Sequence, residues 1–196
     1  MTDSALPVEF QGLWRRWSVS LGTEPRTEPA LVLWWQAPRA FMDIRWRFAS
    51  PDGHLDGLSE DRVTAGHTTY EPVSADGGYL TWHHDIDSLS GSGADRAAVH
   101  WEGDDLVEVG TVAVDPDGAP VTFTEVWRRV GPELPQIGDH VAPGWRVLTA
   151  HAERWRLELT IPSDPVESAA LQLQCRNRAH WSLEATFPPA SPAVSR

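Results

Sequence analysis

The chain has 196 residues, 41% of them hydrophobic, with eleven tryptophans, no lysine and a net charge of −12. That is enough apolar chain to bury a core, as one domain or one domain with an appended subdomain. The missing lysine excludes Schiff-base and P-loop chemistry, the acidic balance argues against nucleic acid or an anionic membrane as the main partner, and the single Cys175 can form neither an internal disulfide nor a Cys-rich zinc site.

Met1 to Phe10 lacks the apolar run of a signal peptide, and no later stretch is apolar for long enough to span a membrane, so a cytoplasmic setting is expected. Capped helical periodicity is missing throughout. Clusters of Gly, Pro and Asp interrupt runs rich in Val, Leu, Trp and Thr, which predicts strands at 11–21, 30–36, 40–49, 66–74, 79–87, 97–103, 105–113, 120–130, 144–150, 153–161, 169–176 and 181–187. Leu58–Ala65 is read as a short helical turn, and Asp115–Gly118 as a hairpin turn. The Gly- and Pro-rich stretch 131–144 is read as a break.

Five tryptophans (Trp14, Trp46, Trp127, Trp145 and Trp155) directly precede an arginine. Neighbouring strand residues point to opposite faces, so each pair places an aromatic on one side of a sheet and a cation on the other. The expected fold is therefore all-β: an antiparallel barrel over residues 1–130, followed at 131–196 by a C-terminal β-meander, either part of the same fold or a small second barrel or sheet. In that second part Trp155, Leu157, Leu159 and Ile161 oppose Arg156, Glu158 and Thr160, the alternation of a half-buried sheet.

A ligand site in a small barrel needs a few polar groups on an otherwise apolar inner face. Counting by twos along the first strand aligns Leu13, Trp17, Val19 and Leu21 with Arg15 among them. On the fifth, His84 falls among Leu80, Trp82 and Ile86; on the eighth, Glu125 falls among Val121, Phe123 and Trp127. Arg15 and Glu125 can be a structural ion pair across neighbouring first and last strands, or contacts for a ligand. His84 can be a hydrogen-bonded core residue or a proton carrier. The charged side of the strand near Phe41, with Asp43, Arg45 and Arg47, is expected in solvent; if the lumen is polar instead, Arg45 becomes an anchoring cation. Trp34 and Gln36 lie on a strand apolar on both faces, and Glu108 shares a face with Leu106. His83 and His84 diverge on a strand, so no metal site is expected.

The ordered motifs Gly12-Leu13-Trp14-Arg15-Arg16, Val32-Leu33-Trp34-Trp35-Gln36, Phe41-Met42-Asp43-Ile44-Arg45, Thr81–Asp87, Trp101–Gly110 and Thr124–Arg129 resemble the Hri-type proteins over about residues 10–130. That resemblance implies a lipocalin-like (calycin-like) first barrel and a second barrel after it, and it carries no biochemical function. Taken together, the expected function is binding of a small hydrophobic molecule, anionic or carbonyl-bearing, by Arg15, Trp17, Trp34, Gln36, Arg45, Trp82, Glu108 and Trp127. The alternatives are a cofactor-independent acid-base enzyme (isomerase, cyclase or lyase), with His84 and Glu125 as the catalytic pair, and a protein-interaction module. No cofactor and no nucleic-acid or membrane partner is expected; a homodimer stays open.

Overall fold

The structure is a computed structural model that describes residues 5–28, 30–47, 62–87, 93–113, 120–153, 155–162, 169–175 and 181–187. Asp115–Gly118 and residues 58–61 lie outside the described residues. A 3-10 turn at Val8–Phe10 leads into β1 (Gly12–Leu21), β2 (Ala30–Gln36), β3 (Phe41–Arg47), β4 (Arg62–Ser74), β5 (Gly77–Asp87), β6 (Gly93–Glu102), β7 (Asp105–Ala113) and β8 (Pro120–Arg129). Each pairs antiparallel with the next, and β8 returns to pair with β1, closing an up-and-down barrel. Then follow β9 (Gln136–Ala142), β10 (Trp145–Ala152), β11 (Trp155–Pro162), β12 (Ala169–Cys175) and β13 (Trp181–Phe187). They form an open sheet in the order β13-β12-β11-β10-β9, rather than the second barrel that the resemblance implied. Among the described residues no helix is long and apolar enough to cross a membrane.

Two strands begin earlier than their composition suggests. Arg62–Ala65, read as a helical turn, is the start of β4 and pairs with β3. Gly93–Asp95 belongs to β6 and pairs with Trp82–His84. The strand that composition hid altogether is β9. It lies at the edge of its sheet with most of its residues exposed, so it carries almost no apolar alternation. A Pro143-Gly144 turn joins it to β10; Gly144 has φ 86°, the left-handed position that the third residue of a type II turn requires.

The apolar core is divided by the barrel wall. One cluster fills the lumen: Phe10, Trp14, Val32, Trp34, Leu80, Trp82, Leu106 and Trp127 among others. The second lies outside the barrel, where Leu13, Leu33, Trp35, Met42, Ile44, Val63 and Ala65 pack against Leu148, Ala150, Trp155, Leu157 and Leu159 of the C-terminal sheet. This explains why β2 is buried at every position: Val32 and Trp34 face the lumen while Leu33 and Trp35 face the second sheet. It also inverts the expected orientation of β3. Met42 and Ile44 lie under the second sheet, and the charged side with Asp43 and Arg45 faces inward, not into solvent.

The Trp-Arg pairs follow the same wall. Trp14 and Trp127 point in, and Arg15 and Arg128 point out. Trp155 faces the barrel, and Arg156 faces away to pair with Glu158. On β10 the polarity reverses: Trp145 is exposed, while Arg146 shares a face with Leu148 and pairs with Asp139.

One end of the barrel is plugged by the segment before β1. Phe10 packs on Tyr70 and Trp101, with ring centroids 4.7 and 5.8 Å away. Trp14 Nε1 donates to the Phe10 carbonyl at 2.9 Å, and Gln11 Nε2 to the Leu6 carbonyl at 2.6 Å. The Arg129 guanidinium donates to the carbonyls of Glu9 and Gln11 and lies over the Trp14 ring. Leu157, fully buried between barrel and sheet, tests how far the two layers form one cooperative unit. Leu157→Ala should cost about 2–5 kcal/mol in urea unfolding, and the barrel and sheet should still unfold in a single transition.

Candidate functional site

Above the plug the lumen is layered. First come the tryptophans: Trp34 lies edge-on to both Trp82 and Trp127 at 5.6 Å and stacks on Trp14 at 6.0 Å. Edge-to-face packing suits the ring quadrupole and fixes the rings against one another. Next comes a charged layer contributed by four strands: Arg16 of β1, Asp43 and Arg45 of β3, Glu108 of β7 and Glu125 of β8. Over it lies a recess of about 530 Å³, at the end where β1 leads toward β2, with Val19, Leu21 and Phe123 among its walls. A smaller chamber of about 40 Å³ lies below, between Trp34, Phe41, Trp82, Trp127 and His84. Arg45, Asp95 and Glu108 line both spaces, so the charged layer is the floor of one and the roof of the other.

The inward cation on β1 is Arg16, and not Arg15. Arg16 opposes Trp127 on β8, Ser18 opposes Val126, and Trp17 is the extra residue of a β-bulge. A bulge advances the chain by one residue and flips the faces beyond it. Val19 and Leu21 therefore line the recess with Arg16, while Arg15 and Trp17 are exposed on the outer surface. Trp17, 53% exposed, lies under the Arg128 guanidinium at 4.1 Å. These two residues are thus removed from the expected ligand-contacting set. The same effect operates on β5, where the pairing with β4 shifts between Ala65 and Gly66. His84 stays inward, but Ile86 packs outside against the second sheet. His83 points outward and stacks on His67 at 4.5 Å.

Arg16 is nearly fully buried and joins two carboxylates. Its Nη1 donates to Glu125 Oε1 at 2.5 Å, and its Nε and Nη2 form a two-pronged contact with Glu28 at 2.9 and 3.1 Å. Glu28, from the segment before β2, also accepts from the Ala30 amide. Burial disfavours the Arg16 charge, but Glu125 and Glu28 outweigh it and hold its pKa above the usual value. Arg45 behaves alike: burial opposes its charge, and Asp43, Glu125 and Glu108 more than offset this. Its Nε donates to Asp43 Oδ1 at 3.2 Å. Asp43 is itself pushed up, chiefly by burial.

Glu108 and Glu125 are direct cross-strand partners on β7 and β8, so their side chains emerge side by side on the inner face. Burial, and then the neighbouring Glu125, push Glu108 up to about 8, against the pull of Arg45 and of the Trp127 indole, which donates to Glu108 Oε2 at 3.0 Å. The second oxygen of Glu125, Oε2, is buried and has no hydrogen-bond partner among the described residues. His84 lies between two aspartates, with Nδ1 3.4 Å from Asp87 Oδ2 and Nε2 3.4 Å from Asp95 Oδ2.

Of the remaining residues expected from sequence, Trp34, Arg45, Trp82, Glu108, Trp127, His84 and Glu125 all reach this region. Gln36 is also inward but serves the closed end. Its Oε1 accepts from the Trp34 indole and the Thr68 hydroxyl, and its Nε2 donates to the carbonyls of Ala37 and Ala40. Sequence reasoning missed Arg16, Glu28, Asp43, Asp87 and Asp95. Asp43 was legible, because it shares a strand face with Arg45. Arg16 was not, because nothing in the composition of β1 announces its bulge.

The profile of the family described as Protein HRI1 matches residues 12–177, and the chain belongs to that family. The match runs past the barrel into the second sheet. The crystal structure of an uncharacterized protein of Saccharomyces cerevisiae (YLR301w) is similar in fold, with 14% identity, a TM-score of 0.66, and coverage of 94% of this chain and 91% of that one. Comparison with curated proteins finds no match.

Two predictions follow from the floor's wiring. Arg16→Met leaves buried Glu125 and half-buried Glu28 uncompensated and should cost about 3–5 kcal/mol, whereas Arg15→Met should change urea stability by less than about 0.5 kcal/mol. The second concerns pH. The folded state holds the Glu108 proton from its ordinary 4.5 up to about 8, so the native state binds more protons than the unfolded one across that window. Stability from this group is therefore full below 4.5 and is lost as pH rises toward 8. Glu108→Gln should remove most of that decline when unfolding is measured at pH 5, 6.5 and 8.

Proposed function

We propose that the protein is a small-molecule-binding barrel, lipocalin-like in that eight consecutive antiparallel strands form a cup plugged at one end and hollow at the other. The observation that carries this reading is the recess of about 530 Å³ above a buried charged floor. Its volume lies in the range of ligand sites, and such sites combine apolar walls with a few fixed polar groups. Val19, Leu21 and Phe123 supply the walls; Arg16, Arg45, Glu108 and Glu125 supply the polar groups, with Arg16 held by Glu125, Arg45 by Asp43 and Glu108 by the Trp127 indole. A purely aliphatic ligand would leave that floor unserved. Of the anchors expected from sequence, Arg15 is outside; Arg16 is held by Glu125 and Glu28, and Arg45, which meets Asp43 through Nε, is the inner arginine that lines the recess.

An acid-base role for the same floor is a second reading, favoured by Glu108, which holds a proton at neutral pH beside Glu125. On this reading the proton carriers are Glu108 and Glu125, with His84 lower in the lumen.

Native mass spectrometry of freshly purified protein should show a bound small molecule, and its addition to stripped protein should change the emission of the tryptophans beneath the recess. Val19→Trp, which fills the recess from β1 without removing a member of an ion pair, should weaken that binding by about tenfold or more. A wild-type protein that carries nothing, and whose emission responds to no member of a chemically diverse library, would remove the reading. Turnover of the ligand that is lost in Glu108→Gln while binding persists would establish the second.

A further inference from the structure

We infer that the recess takes a neutral ligand whose carbonyl oxygen is held by the Nη edge of Arg45; this rests on the binding reading above and selects between the two guests, anionic or carbonyl-bearing, expected from sequence. The first observation is the open edge of Arg45. Among the described residues its side chain donates through Nε alone, to Asp43 Oδ1. The buried side-chain polar atoms without a partner there are Trp35 Nε1 and Glu125 Oε2, so the two Arg45 Nη atoms, which also lack one, are not sealed off. The Arg45 side chain is 37% exposed, and it lines both the recess and the chamber below. A guanidinium tied down at Nε, with both Nη groups open, is a preset pair of donors for an oxygen acceptor.

The second observation is the charge balance. Burial and the neighbouring Glu125 keep a proton on Glu108 at neutral pH. The lining then holds Arg16, Arg45 and Arg96 against Glu24, Asp95 and Glu125. A charged guest of either sign would unbalance that set in a partly buried site, where an uncompensated charge is costly. An anion on Arg45 meets a further obstacle, because Asp43 and Glu125 already answer the Arg45 charge and a ligand carboxylate would enter beside both. A carbonyl oxygen accepts the Nη hydrogens without adding charge, and a hydrogen bond from an ionised donor is among the stronger ones. Glu108, which meets a donor through Oε2 alone among the described residues, adds a carboxylic acid proton in the lining of the same two spaces. The apolar walls of Val19, Leu21 and Phe123 suit a hydrophobic body on that carbonyl.

Three probes on one phenethyl skeleton separate the cases: 4-phenylbutan-2-one, 3-phenylpropionate and 4-phenylbutan-2-amine, titrated at neutral pH into wild-type protein and followed by calorimetry and amide NMR shifts around the recess. The ketone should bind about tenfold or more tighter than either ion, the order of one charge-assisted hydrogen bond. Its carbonyl stretch in the infrared should fall below the value in water once bound. Arg45→Lys, checked for folding by urea, keeps a charge facing Asp43 but loses the Nη fork; it should weaken ketone binding about tenfold and return the stretch toward the aqueous value. Equal or tighter binding of 3-phenylpropionate or of the amine to wild-type protein, or a bound stretch at or above the aqueous value, overturns the carbonyl assignment and leaves the binding barrel standing. If none of the three binds, the carbonyl assignment falls, and the native mass spectrum judges the binding reading on its own. The wild-type comparison decides the matter even where the variant does not fold.

Discussion

Part of the barrel wall, centred on β2 and β3, is buried on both sides, and this constraint shapes much of the rest of the molecule. An isolated eight-stranded barrel of this size keeps its apolar residues inside and its polar ones in water. Here the C-terminal sheet covers part of the outside, so Leu33, Trp35, Met42, Ile44 and Val63 have a second apolar partner. The strands beneath it no longer need to put their apolar side inward. β3 uses that freedom fully, turning Met42 and Ile44 out and Asp43 and Arg45 in. The cover on one side makes a charged interior on the other affordable in free energy.

That interior is stable because its charges come as a set. Separate burial of any one would cost several kcal/mol. Arg16 joins Glu125 to Glu28, and Arg45 answers Asp43 while feeling Glu108 and Glu125. The remaining excess of negative charge is reduced by keeping a proton on Glu108. The tryptophans below give the layer a rigid bed: Trp127 donates its indole proton to Glu108, and Trp34 is tied to Gln36. Glu125 Oε2 remains buried without a hydrogen-bond partner among the described residues.

Most of the architecture was legible because strands announce themselves by runs of Val, Trp and Thr between Gly and Asp clusters. The neighbouring first and last strands, and an arginine-glutamate pair joining them, were foreseeable on the same basis. The failures have local causes. The Trp17 bulge moved the inward cation from Arg15 to Arg16, and the β5 bulge moved Ile86 from lumen to outer wall. A count by twos cannot detect an inserted residue. Strand β9 escaped because an exposed edge needs no apolar alternation. The inverted face of β3 escaped because its covering sheet lies about a hundred residues later in the chain, and periodicity reports only that a strand has two sides, not which partner each side meets.

The seam between β1 and β8 joins residues 14–21 to residues 123–129, and Arg129 reaches back to clamp the plug at Glu9 and Gln11. Such distant pairing bears its loop-closure entropy before it yields any contact, which places the molecule among slow-folding topologies. During synthesis β1 therefore emerges from the ribosome about a hundred residues before β8, its partner across the seam. For that interval its tryptophans and its unpaired edge are open to other chains, and the nascent protein is in the state in which a chaperone has most to offer it.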